Sequence, residues 1–253
     1  MGKYRRVSKL AGIAGASLMA LSGAALADGY YGSVKDAPPP KPERELSFSA
    51  TLTGTSDYVF RGVSQTNQEP TVQGSFDLSY GIFYAGVWGS GVDFGDDATT
   101  ELDWYAGFKP VWNDFEFDFG VILYTYPGAS GYDLIQVTEL KAGVSKSFDK
   151  LGVGGVVYYS PDINGYEHVV VEGTLSYELP KLAMFTPTVS GLVGYQDDIS
   201  GGTGLGDYTY WNAGLSLAVE KLTFDFRYWD TDLSNPAPLA DERFVFSVGV
   251  SLP

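Results

Sequence analysis

The sequence predicts an all-β fold, a transmembrane antiparallel β-barrel of about twelve strands over 46–253. Three observations carry this. From Leu46 onward apolar residues recur at every second position, the period that sends successive side chains to opposite faces of a pleated strand. The alternating segments run to about ten residues, the length of a tilted membrane-spanning strand and well beyond the roughly five or six usual in a globular sheet. The connections between them alternate short and long, as in a barrel with tight turns at one rim and extended loops at the other.

Composition agrees with this class. Charged residues make up 19% of the 253, below the roughly 25% of soluble domains, while aromatics reach 15%. A helical membrane protein needs several apolar runs of about 20 residues, and only one apolar run is present, at the N-terminus. There Lys3, Arg5, Arg6 and Lys9 flank the apolar stretch from Leu10 to Gly23, and Ala25-Leu26-Ala27 supplies small residues for cleavage. This is the pattern of a signal peptide over 1–27, so the chain is expected to be exported. Removing those four basic residues from the 16 Lys+Arg leaves 12 against 31 Asp+Glu, a formal charge of −19. So acidic a chain is a poor partner for nucleic acid, and none is expected. Residues 28–45, with Pro38-Pro39-Pro40 and Pro42, read as a Pro-rich periplasmic linker. With no cysteine there is no disulfide framework, thiolate metal site or cysteine nucleophile.

The strand segments follow in order. Leu46, Phe48, Ala50 and Leu52 share one face, then Val72, Phe76, Leu78 and Tyr80. Ile82 to Phe94 is apolar on both registers, so it reads as a strand whose faces the pattern leaves unassigned. Next come Leu102, Trp104, Ala106 and Phe108, followed by Phe115, Phe117, Phe119, Val121 and Leu123. Leu140, Ala142 and Val144 lead to Leu151, Val153, Val157 and Tyr159, then to Val169, Val171, Leu175 and Tyr177. Val189, Val193 and Tyr195 precede Trp211, Ala213, Leu215 and Leu217; Leu222, Phe224, Phe226 and Tyr228 precede Phe244, Phe246, Val248, Val250 and Leu252. Short turns fall at Gly81, Asn113-Asp114, Asp149-Lys150, Pro180 to Met184 and Glu220-Lys221. The longer connections between them are rich in Gly, Pro, Asp, Asn and Ser.

None of these apolar positions holds a charge, whereas the intervening ones include Asp77, Glu101, Asp103, Asp118, Glu139, Lys141, Glu172, Asp225 and Arg227, with Tyr105, Tyr124 and Tyr158 among them. A closed barrel satisfies every backbone group where lipid offers no partner, which favours the apolar face outward. Tyr80, Trp112, Phe115 and Tyr177 toward the short-turn rim, and Tyr159, Tyr195, Trp211 and Tyr228 toward the other, are placed as two interfacial girdles. Arg243 to Leu252 resembles the carboxy-terminal signal by which such barrels are recruited for insertion, although the chain ends Leu252-Pro253 without a terminal aromatic. The expected partners are outer-membrane lipid and lipopolysaccharide, the barrel-assembly machinery and small polar solutes; the expected location is the Gram-negative outer membrane.

The stretch SDYVFRGVSQT from Ser56 to Thr66, followed by Pro70, Gln73-Gly74 and Asp77, is similar to the TorF family of proteobacterial barrels classed as porins. YAGVWGSGVDF from Tyr84 to Phe94, ELDWYAGF from Glu101 to Phe108, YTYPG from Tyr124 to Gly128 and the closing DERFVFSVGVSL extend the resemblance along the chain. It implies an outer-membrane barrel of porin type.

With lipid outside, Asp103, Asp118, Glu139, Glu172 and Asp225 outnumber Lys141 and Arg227 as pore-lining residues, so the lumen is expected to attract cations. Arg61, after Tyr58 and Phe60, is expected at the pore mouth. The expectation is passive diffusion of small polar, cationic solutes; its rivals are a side-chain-filled barrel with a structural or adhesion role and an outer-membrane lipid hydrolase. No catalytic residue is assigned. His168, the only histidine, has no serine elbow motif near it and reads as a solvated loop residue. Asp93, Asp96 and Asp97 lack calcium-loop spacing, and Gly201-Gly202-Thr203-Gly204 lacks the lysine of a phosphate loop. No metal or cofactor is expected.

Overall fold

The computed structural model describes residues 45–161, 164–233 and 238–252. The signal peptide expected over 1–27 and the linker expected over 28–45 lie outside the described residues, Glu45 excepted. Twelve strands of nine to twelve residues form the wall: β1 Leu46–Thr55, β2 Thr71–Tyr80, β3 Phe83–Gly91, β4 Thr100–Phe108, β5 Phe115–Thr125, β6 Val137–Phe148, β7 Leu151–Ser160, β8 His168–Glu178, β9 Thr186–Asp197, β10 Tyr208–Val219, β11 Leu222–Thr231 and β12 Arg243–Leu252. Each pairs antiparallel with its neighbours in the chain, and β1 meets β12 from Ala50 opposite Leu252 to Thr55 opposite Ser247. The sheet therefore has no open edge, and its backbone groups are satisfied without water. Among the described residues there is no α-helix, only a 3-10 turn at Pro238–Ala240.

The tight turns lie where the sequence places them. Asn113 and Asp114 both have positive φ, 52° and 63°, the signature of a type I′ turn whose twist matches the strands it joins. Just before it, Val111–Trp112 pairs with Phe115 and Glu116 and lengthens the hairpin beyond the wall.

On the outside the alternating residues form a continuous apolar belt in which Leu52, Phe76, Phe119, Leu175, Val193 and Phe226 are all exposed. Neighbouring outward rings meet across strands, Phe226 and Phe246 at 5.0 Å and Phe108 and Phe119 at 5.3 Å between centroids. Tyr80, Trp112 and Tyr177 are exposed at the short-turn end and Tyr159 and Tyr195 at the other, the two girdles expected. A belt of this extent around a closed sheet belongs against hydrocarbon, so the strands span a membrane.

β3, whose faces the pattern leaves open, turns Phe83, Ala85 and Val87 outward and Tyr84, Trp88 and Ser90 inward. Trp88 is apolar and inward because a segment folded inside the barrel covers it: its ring meets that of Tyr58 edge-on at 5.2 Å. Both faces of the strand are covered, one by lipid and one by protein, and alternation vanishes accordingly.

The interior divides into two halves. Toward the long loops the inward side chains are large and buried, among them Trp88, Tyr124, Tyr158, Tyr210 and Trp229. Toward the short turns they are small, including Ser49, Ser79, Gly107, Gly143, Gly152 and Ser176, and each is partly exposed. The barrel is thus a packed core above a wet vestibule.

Candidate functional site

After β1 ends at Thr55 the chain turns into the barrel instead of following its rim. Tyr58, Val59, Phe60 and Arg61 are all buried, and Val59–Phe60 pairs with Val63–Ser64 as a two-rung hairpin. Its turn is Arg61-Gly62, with φ of 48° and 82°, again of type I′. At the base of the hairpin Asp57 accepts the Ser64 hydroxyl at 2.6 Å and Arg243 Nη1 of β12 at 3.1 Å, which ties the insert to the wall.

Arg61 is 1% exposed. Its Nη1 donates to Glu139 Oε1 at 2.9 Å and its Nη2 to Oε2 at 3.1 Å, a two-pronged pair on the wall strand β6. The guanidinium lies 4.5 Å from the Phe60 ring centre and 5.2 Å from that of Tyr158 on β7. Glu139 also accepts the Tyr124 hydroxyl of β5 at 2.8 Å, and His168 Nε2 of β8 lies 2.8 Å from its Oε1. Breaking a buried pair of this kind by removing one partner typically costs about 3–5 kcal/mol, because the other charge is left without compensation.

Beside this cage β4 carries Glu101 and Asp103, both fully buried. Tyr58 donates its hydroxyl to Glu101 Oε1 at 2.9 Å, whereas Glu101 Oε2 and both carboxyl oxygens of Asp103 have no hydrogen-bond partner among the described residues. Three such oxygens in one place are unusual in a protein interior. No three His, Cys, Asp or Glu side chains among the described residues converge as a metal cage. Nearer the vestibule, Lys141 Nζ meets Asp118 at 2.5 Å, and Tyr84 donates to the same carboxylate at 2.7 Å. Arg227 pairs with Asp225 at 2.9 Å and donates to Asn212 Oδ1 at 2.6 Å; Glu172 accepts the Tyr210 hydroxyl. A cavity of about 30 Å³ lies between the hairpin and the wall, lined by Tyr58, Val59, Asp225, Arg227 and Trp229 among others, room for about one water molecule.

All seven residues expected to line a pore, Asp103, Asp118, Glu139, Lys141, Glu172, Asp225 and Arg227, occupy inward positions of the wall. Asp103, Glu139 and Glu172 are buried in the packed half, whereas the other four are partly exposed toward the vestibule. Two placements differ from expectation. Arg61 sits inside the barrel on Glu139, not at the mouth, because the segment that carries it is inserted. His168, expected in solvent, is the first residue of β8 and fully buried, with Nδ1 3.0 Å from the Tyr166 carbonyl oxygen and Nε2 on Glu139. Glu101, placed by the sequence only among the charges of the inward face, and the aromatics Tyr58, Trp88, Tyr210 and Trp229 complete the site without having been assigned a role there. The signal for the insert is the apolar triplet Tyr58-Val59-Phe60 inside a segment that otherwise reads as a rim loop.

Above the core the long loops are knitted together. Asp97 accepts the Ser130 amide at 3.0 Å and its hydroxyl at 2.5 Å, bonds that hold its carboxyl below the usual aspartate value. Tyr132 donates to Asp96 at 2.7 Å; partial burial and then that carboxylate push its phenol up. These contacts join the β3–β4 loop to the β5–β6 loop.

A closed, lipid-facing sheet around a polar interior defines a transmembrane β-barrel of porin architecture. Residues 40–251 match the model of a family described as bacterial protein of unknown function (Gcw_chp), and the chain belongs to that family. No curated protein matches the sequence. Among solved structures it is similar to the KdgM porin, at 10% identity and a TM-score of 0.55 over 81% of this chain and 98% of that one. It is also similar to the NanC porin, at 12% identity and a TM-score of 0.53 over 81% and 99% of the respective chains. At such identities the likeness is one of fold.

Proposed function

We propose that this chain is an outer-membrane channel for passive diffusion of small polar, cationic solutes, entered from the vestibule and closed at the long-loop half by the inserted hairpin. Export by a signal peptide over 1–27, a periplasmic linker over 28–45, contact with lipopolysaccharide, insertion by the barrel-assembly machinery and kinship to the TorF family belong to the same reading. The observation that carries it is the surplus of interior carboxylate. Arg61, Lys141, Arg227 and Arg243 are each matched by one acid, Glu139, Asp118, Asp225 and Asp57. Glu101 and Asp103 take part in none of the ion pairs among the described residues, so acidic side chains outnumber basic ones in the interior.

Planar-bilayer recording across a potassium chloride gradient tests this. The expected result is discrete conductance steps whose reversal potential marks cation preference, weakened in Asp118→Asn, which leaves Lys141 unpaired beside the vestibule. Anion preference would overturn the carboxylate argument. The absence of steps, in the native chain and in Arg61→Ala alike, would leave the second reading, a filled barrel with a structural or adhesion role, which the tight packing of the long-loop half favours. The hydrolase reading has no such support. Ser160 lies directly across from His168, yet both ring nitrogens of His168 are engaged elsewhere and Ser160 Oγ has no hydrogen-bond partner among the described residues.

A further inference from the structure

The turn that carries Arg61 poses a question of residue choice. The first central position of a type I′ turn needs positive φ and favours Asn, Asp or Gly; arginine gains nothing there from the backbone. What holds it is the cage, and every wall component of the cage comes from a strand of the barrel: Tyr124 from β5, Glu139 from β6, Tyr158 from β7 and His168 from β8. These residues are positioned by the closed sheet and not by the hairpin. A carboxylate that accepts two parallel N–H bonds, beside the face of an aromatic ring, is the chemistry that recognises a planar guanidinium in preference to a compact ammonium.

We infer that this cage is a guanidinium-binding site of the lumen wall, which Arg61 occupies as a tethered ligand and from which a guanidinium-bearing solute displaces it. When the solute takes Glu139, Arg61 loses its two-pronged partner and the hairpin leaves the core; His168 and Tyr124 stay on Glu139 in either state. Glu101 and Asp103, with three oxygens unpartnered among the described residues next to the cage, offer hydrogen-bond acceptors to the incoming guanidinium. The consequence for flow rests on the channel reading, whereas occupancy of the cage does not.

Guanidinium chloride in the low millimolar range is the probe, with equal sodium chloride as the control. The first readout is the temperature at which the detergent-solubilised barrel loses its fast-migrating form on a gel. Arg61→Ala should lose this form at a lower temperature than the native chain and be restored by guanidinium, while Arg61→Ala/Glu139→Gln should not respond. A response of Arg61→Ala that survives the Glu139 change, or no response at all, overturns the inference whether or not the protein conducts. The second readout is bilayer current, where the signs should be opposite. Guanidinium displaces Arg61 in the native chain and raises the current, but in Arg61→Ala it fills the vacated cage, reseats the hairpin and lowers the current. A change of the same sign in both chains overturns displacement. If no variant conducts while the thermal response holds, the channel reading fails and the binding site stands.

Discussion

Gly62 shows how little freedom the hairpin tip has. A Cβ at this position would lie 2.3 Å from Thr231 Cγ2 and 3.0 Å from Tyr210 Cβ, and its φ of +82° disfavours any L side chain. Strain and overpacking together predict that Gly62→Ala destabilises the inserted hairpin by about 1–3 kcal/mol. Limited proteolysis between Tyr58 and Thr66 checks this; the variant should be cleaved faster while the wall strands stay intact. A second prediction concerns the loop tether. The Ser130 bonds lower the pKa of Asp97, so the folded loops bind that proton less readily than the unfolded chain does. The tether is therefore fully present above the ordinary aspartate value of 3.8 and is lost as pH falls through the lower folded value. Titration of the Asp97 carboxyl carbon by NMR should show a midpoint below 3.8, moving back up in Ser130→Ala.

A strand of this wall has two environments, and substitutions should report which one they meet. Phe119 on β5 points outward into the apolar belt, whereas Ser216 on β10 points inward among small, partly exposed residues. An arginine on the lipid face near the midplane costs roughly 2–4 kcal/mol. Phe119→Arg should therefore impair assembly into lipid vesicles far more than Ser216→Arg, scored by the fraction reaching the fast-migrating folded form; equal yields would mean the faces are assigned wrongly. Most of the wall was legible in the residue order for the same reason. Alternation records which side of a strand is oily, and in β1, β5, β10 and β12 one side meets lipid and the other meets polar groups. β3 was not legible, because Trp88 faces inward to an aromatic ring and the contrast between sides disappears. The insert was not legible either. Periodicity reports a local face and says nothing of where a rim segment goes, so Arg61 read as a mouth residue and His168 as a solvated one until the ring and carboxylate waiting inside were known.

At the scale of the molecule the two interior halves divide the work. Large residues and the hairpin exclude water toward the long loops, and serine, threonine and glycine leave space toward the short turns. The seven charged residues expected inside are inside, and five of them are paired with an opposite charge, Asp118 with Lys141, Asp225 with Arg227 and Glu139 with Arg61. Selectivity measured in a bilayer should accordingly respond to Asp225→Asn, which leaves Arg227 unpaired, more than to Asp225→Asn/Arg227→Gln, which removes both charges of the pair.

The seam between β1 and β12 joins the beginning of the wall to its last ten residues, from Ala50 against Leu252 to Thr55 against Ser247. Bringing together partners so distant along the polypeptide is entropically the slowest of the pairings, and none of the others can substitute for it. Until synthesis has delivered the final segment, every oily side of the unfinished sheet lacks its bilayer and two rows of amides lack their mates. The nascent polypeptide is therefore prone to clumping until that segment arrives, and loss of even that short stretch would leave an open trough instead of a shorter cylinder.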